Sequence, residues 1–168
     1  SKHPDETLRI WNNNEILGQV VFRIRKFKPD LIIHRFNHRT PGTTHGHHTS
    51  SAMLSEQAFH LSNDPNAFPE QLDRVKLWQA ERQFYNTSWW AYGGREQFKK
   101  ADKSNMIPIE SNPMDLLLGR TNEEVAAKSR SQHKSQGFGS APRLGNQTEY
   151  LEWINGSKPT QSDPFQGI

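Results

Sequence analysis

Five of the eight histidines of this 168-residue chain fall between His34 and His48, and three of them stand in Thr44-His45-Gly46-His47-His48. The sequence contains no cysteine, so thiolate zinc sites, disulfides and cysteine nucleophiles are excluded. Any metal chemistry must use imidazole and carboxylate. A catalytic zinc needs three protein ligands and an open position. His45 and His48 are three residues apart, and at the first turn of a helix such a pair shares a face. His47 is expected roughly 100° around from His48, so the three are not expected on one ion. The spacing points to His48 as a ligand and to His45 as a second ligand or a hydrogen-bond donor, with the remaining groups drawn from elsewhere. A solvated histidine-rich loop is the alternative. His3-Pro4-Asp5-Glu6 offers a second His-x-Asp arrangement, but no apolar strand precedes it. Pro4 at a first helical turn, with Asp5 and Glu6 beside it, reads as a helix start.

The elements around the cluster must set its place. Residues 5–28 read as helix, with Ile16, Val20, Ile24 and Phe27 on one face and Gln19, Arg23 and Lys26 on the other. Asn12 and Glu15 resemble a capping box at which the helix starts or restarts. Lys28-Pro29 ends it. Asp30 to His34 is a short apolar run of the kind found in strands buried on both faces, as in parallel α/β sheets. Phe36 to Gly46 is a loop turning at Pro41-Gly42, and residues 47–62 form a second helix with a Leu54, Ala58, Leu61 stripe and an adjacent His48, Ala52, Phe59 row. The histidine cluster therefore lies just past the carboxyl end of a strand, the edge at which open α/β sheets bind ligands.

Beyond it, Phe68 to Gln79 is irregular with a helical turn, Arg82 to Asn86 is a strand, and residues 87–106 are an excursion holding Trp89-Trp90 and Gly93-Gly94. Met106 to Glu110 reads as an edge strand because of Pro108. Thr121 to Glu124 is a capping box opening a helix to about His133, broken by Gly137-Phe138-Gly139. Glu149 to Ile154 is a last strand before Asn155-Gly156 and a polar tail. The length suits one domain. The 32% apolar content and mean hydropathy of −0.92 imply a modest core. Five Trp, nine Phe and three Tyr argue against disorder. Twenty-one basic against eighteen acidic residues leave +3, scattered along the chain, so no nucleic-acid partner is expected. No apolar run reaches the roughly 18 residues of a membrane span.

Several of these segments resemble the LmbE-like (PIG-L) zinc-dependent N-deacetylases. Lys28-Pro29-Asp30-Leu31-Ile32-Ile33 is similar to that family's strand before its second metal motif. Thr44 to Ala52 matches its H-x-x-H segment, in the H-G-H-H form of one bacterial branch. His133-Lys134-Ser135-Gln136 matches the later H-x-S-Q motif, and Phe68-Pro69-Glu70-Gln71-Leu72 and Ser135 to Gly139 are also similar to that branch. The resemblance covers nearly the whole chain. It implies an α/β fold, part of a Rossmann-like sheet with flanking helices, with residues 1–168 a single partial deacetylase domain cut at both ends. The family's opening strand ends in H-P-D-D, which supplies a histidine ligand, the general base and an aspartate ligand. That segment is expected upstream of Ser1.

By this resemblance the reaction is removal of an N-acetyl group from an N-acetylglucosamine-type sugar conjugate, by attack of zinc-activated water on the acetyl carbonyl. His48 is the zinc ligand and His45 donates to the developing oxyanion. His133 and Arg35 contact substrate, each against an ordinary packing, capping or ion-pair role. His47 orients a neighbour or is merely solvated. His34 and His38 read as surface histidines. Trp89, Trp90 and Tyr92 form a buried aromatic cluster in preference to a sugar-stacking platform. The partner is a small-molecule sugar conjugate, a homo-oligomer is compatible with the reading, and the compartment, cytoplasmic or periplasmic and secreted, is left open. A non-catalytic carbohydrate-binding or structural remnant of the same fold is the competing function.

Overall fold

A computed structural model describes residues 1–41, 43–137, 139–160 and 163–168. The turn expected at Gly42 and the break expected at Phe138 lie outside the described residues. The fold is mixed α/β, with five α-helices and a mixed sheet among the described residues. The described residues divide into two compact units, Ser1–Ile107 with Leu151–Ile168, and Pro108–Tyr150.

In the first unit the opening helix is two helices. α1 spans Pro4–Trp11 and α2 spans Asn13–Phe27. Asn12 between them takes a left-handed conformation at φ 58°, which breaks the helical hydrogen-bond ladder. Its amide donates to Glu15 Oε2 at 3.2 Å and does not cap α2. The buried face of α2 is Leu17, Val21 and Ile24, so Ile24 of the expected stripe is buried while its other members are not. Ile16 and Val20 flank it, and Phe27 is 81% exposed. The stripe is set by its partner: Leu54 and Ala58 of α3, which spans Gly46–Leu61, close on Leu17, Val21 and Ile24. Each fully buried Leu, Val or Ile contributes about 1.5–3 kcal/mol.

Arg25 is the polar counterpart of that seam. It is fully buried and donates to the carbonyls of Leu61, Ser62, Asp64, Ala67 and Phe68 and to Gln71 Oε1, at 2.8–3.2 Å. A buried guanidinium is tolerable only when its fork of donors is satisfied. Here it also draws cationic charge to the carboxyl end of α3, where the helix dipole favours it.

The sheet runs β1-β2-β6-β3, with β1 at Leu31–His34, β2 at Arg82–Thr87, β6 at Thr148–Gly156 and β3 at Met106–Glu110. β1 and β2 are parallel, with Ile32 opposite Gln83 and His34 opposite Tyr85. β3 is an edge strand, in accord with its proline. β1 is an edge as well, and it is covered on one face only. Its residues alternate, so Ile32 packs on the α2–α3 core while Ile33 is 52% exposed. The burial on both faces expected from its apolar run is absent among the described residues. No described helix is long and apolar enough to cross a membrane.

In the second unit, β4 (Met114–Asp115) and β5 (Arg120–Thr121) form a small antiparallel hairpin that the sequence did not announce. Asp115 Oδ1 accepts from the backbone of Leu117 and Leu118 at 2.9 and 3.0 Å, and fixes the turn between the strands. α5 (Asn122–Arg130) begins on the expected capping box. Glu124 N donates to Thr121 Oγ1, and Thr121 N to Glu124 Oε2 at 2.7 Å.

Candidate metal-binding turn at the head of α3

α3 begins at the carboxyl edge of the parallel β1–β2 pair, because the 35–45 loop leads from the end of β1 to Gly46. Its N-cap is His45, in extended backbone at ψ 143°, whose carbonyl accepts from His48 N and Thr49 N at 3.0 and 3.3 Å. No side chain caps this end. The capping position is thus occupied by a residue type that does not serve the helix, which leaves the imidazole available.

Gly46 explains how the turn is held. Its N–H donates to Ser1 O at 3.2 Å, and a Cβ on it would lie 2.4 Å from His3 O and 2.6 Å from Thr7 Oγ1. Only glycine permits this approach of the α1 start to the head of α3. His3 itself is the N-cap of α1. Its Nδ1 accepts weakly from Asp5 N at 3.4 Å and lies 3.2 Å from Asp5 Oδ2. The helix-start role read from His3-Pro4-Asp5-Glu6 is the one the chain adopts.

His48 is half-buried and oriented from two sides. Phe36 stacks on it with ring centres 3.9 Å apart and planes 3° from parallel. Thr44 Oγ1 lies 3.0 Å from His48 Nδ1. When Nδ1 carries the proton and donates to that hydroxyl, Nε2 keeps its lone pair, the arrangement by which outer partners orient metal-binding histidines. Burial, and then the neighbouring His47 and His45, push the His48 pKa down, which favours the neutral ligand form. The ring of His45 stands 5.3 Å from that of His48 and perpendicular to it. His47 departs from expectation: its ring is 4.2 Å from that of His48, so the two side chains lean together across adjacent positions. Even so, no three His, Asp or Glu side chains among the described residues are grouped to hold a metal. The turn fits zinc as the donor of one ligand nitrogen, and the other ligands would have to come from outside this set.

Arg35, just past β1, donates to Asn86 O at 3.2 Å and to Asn86 Oδ1, and its guanidinium covers Trp90 at 5.2 Å. The expected buried aromatic cluster is not what forms. Trp89 and Trp90 are 41% and 39% exposed, and each carries an arginine on its ring, while Tyr92 packs on Phe98 at 5.1 Å. In the 3-10 turn over Trp89–Tyr92, Trp90 lies about a third of a turn around from Trp89, so the two indoles do not share one inward face. His133 belongs to the second unit. There, with Ala126, Ser129, Arg130 and Gln136, it lines an open cavity of about 530 Å³.

Of the two histidines read as surface residues, His38 is half-buried and His34 is buried. His34 is not a surface residue but 8% exposed, and its Nδ1 lies 2.7 Å from Phe36 O. Its position opposite Tyr85 on β2 carries it onto the sheet face that Ile32 and Gln83 share. The alternation from Ile32 to His34 was the available signal. Compared with protein-family models, curated proteins and solved structures, the chain matches none.

Proposed function

We propose that this chain forms part of a zinc-dependent N-deacetylase of the LmbE-like (PIG-L) kind, with a Rossmann-like sheet, that acts on an N-acetylglucosamine-type sugar conjugate. The observation that carries the reading is the mounting of His48. Its ring is clamped by Phe36, its Nδ1 is engaged by Thr44, and its Nε2 is left for a ligand at the head of a helix that follows a parallel strand. The H-G-H-H and H-x-S-Q segments, which resemble the family's, give that imidazole its reaction. The rest of the site, a histidine, an aspartate and the aspartate base of an H-P-D-D segment, would come from polypeptide outside these residues.

Zinc, when bound, polarises the acetyl carbonyl and lowers the pKa of water. His48 supplies one nitrogen. His45, perpendicular to it and uncommitted to capping, donates a proton toward the carbonyl oxygen as charge develops there. His47 packs beside His48 and limits its swing. Arg35 and the exposed Trp90 form a flat cationic wall at the same strand edge, suited to the apolar face and polar rim of a pyranoside.

The test is acetate release from an N-acetylglucosaminide by the polypeptide that carries this chain, before and after chelation and zinc return. The expected result is zinc-dependent release that H48A abolishes and H45A lowers by 10²-fold or more. Release that survives H48A, or that ignores chelation, contradicts the reading. Zinc-independent binding of the sugar without any release would instead favour the carbohydrate-binding remnant.

A further inference from the structure

The carboxyl end of β1 holds a second pair of imidazoles, which the His45–His48 turn does not use. We propose that His34 and His38 together bind one divalent transition-metal ion, of the zinc, cobalt or nickel type, at a site separate from His48.

The argument begins with the tautomer of His34. A carbonyl oxygen can only accept, so the 2.7 Å contact with Phe36 O requires the proton on Nδ1. In the neutral ring Nε2 is then a bare lone pair. It is buried, and no hydrogen-bond donor meets it among the described residues. Nδ1 of His38 is likewise buried without a hydrogen-bond partner. A buried polar atom left unpaired costs about 1–3 kcal/mol, so two on adjacent rings call for a ligand common to both. The separation of the rings admits one. Their centroids are 5.7 Å apart and their planes 83° from parallel. An ion bound at about 2.0–2.1 Å from an imidazole nitrogen lies about 3.2 Å from the ring centroid, so two rings on one ion have centroids about 5–6 Å apart.

The surroundings favour the neutral, ligating form of both rings. Tyr85, opposite in register on β2, stacks on His34 at 5.8 Å and 15°, and it holds the ring plane. The Nδ1–H bond to the backbone is the outer-shell device that fixes a metal-binding histidine. Burial drives the His34 pKa down to about 4 and lowers that of His38 too. The carboxylates of Glu56 and Glu152 act on His38 in opposition to Arg39, and Arg39 is itself paired with Glu152 at 2.7 Å. Nitrogen donors with no thiolate suit zinc, cobalt, nickel or copper over magnesium or calcium. With two protein ligands, the site binds more weakly than a four-ligand structural zinc.

The test is titration of the folded chain with Co(II), read by paramagnetic broadening of the histidine ring resonances in NMR and by calorimetric stoichiometry with Zn(II). Wild-type protein is expected to broaden His34 and His38 first. H38Q is expected to weaken that event at least tenfold, and H48Q to leave it intact. H38Q lies in a loop, so it keeps the test readable if H34Q fails to fold. Broadening of the His45–His48 rings alone, or equal stoichiometry and affinity in H38Q, overturns the proposal, as does a crystal soaked in cobalt that shows only ordered water between the two rings. The H48Q arm keeps this outcome separate from the fate of the deacetylase reading.

Discussion

The two ends of α3 are built to opposite rules. At its carboxyl end every donor of the buried Arg25 is matched, to five carbonyls and one side-chain oxygen, and the helix is locked to the segment that follows. At its amino end no side chain caps the backbone, and three imidazoles crowd within 5.6 Å of one another, centre to centre. One end spends polar groups on the fold, and the other withholds them from it. The contrast teaches where to look for chemistry: not where polar side chains are most numerous, but where they are oriented and unspent.

The largest expected effect belongs to the satisfied end. R25M removes the donors from six oxygens in a dry setting and should lower stability by roughly 3–5 kcal/mol, read as a large fall in the midpoint of urea unfolding. A loss under about 1 kcal/mol would mean that the α3 end does not depend on this guanidinium. G46A comes next. The added Cβ must push against the His3 carbonyl, a backbone atom that cannot step aside, so a cost of about 1–3 kcal/mol is expected. Because the shift falls at the head of α3, the ring spectra of His45 and His48 should move while those of core residues such as Val21 stay in place.

A pH ramp without added metal sharpens the comparison at the strand end. Burial holds the His34 pKa down at about 4, below the 6.5 of the unfolded chain. The folded state therefore binds fewer protons than the unfolded one between those values. The stability this implies is complete above pH 6.5 and is lost as pH falls toward 4, by about 2 kcal/mol at pH 5. H34F should flatten that slope; an unchanged slope would place the ring in water. The smallest effect on the fold, and the most selective, is T44V. It leaves the packing of the loop but frees His48 Nδ1, so stability should shift by less than about 1 kcal/mol while metal affinity at His48 falls about 10–100-fold. Equal losses in both would reduce Thr44 to a loop support.

Much of this was legible in the chain itself. The apolar run before His34, the capping box at Thr121 and the proline of β3 each act through local backbone chemistry, and each produced its element. Left-handed Asn12 was only half legible, since an N-cap signal and a helix break share the same residue type. The buried face of α2 kept Ile24 but took Leu17 and Val21 in place of Ile16 and Val20, because its partner α3 set the seam. His34 and His38 escaped because polarity was read as exposure, although two-residue alternation from Ile32 turned His34 inward. Gly46 escaped too: its closest neighbour is His3, 43 positions away in sequence, and such an approach leaves no local mark. In the candidate site, spacing singled out His48 as a candidate, whereas nothing local marked Phe36 and Thr44, which hold its ring.

The most direct examination of the account is an anomalous-difference map at the zinc absorption edge, from crystals of the zinc-loaded polypeptide that carries this chain. The account predicts a peak about 2.0–2.1 Å from His48 Nε2, with Thr44 still on Nδ1 and Phe36 still against the ring. A His48 ring turned to bulk solvent, with no anomalous density beside it, would contradict it.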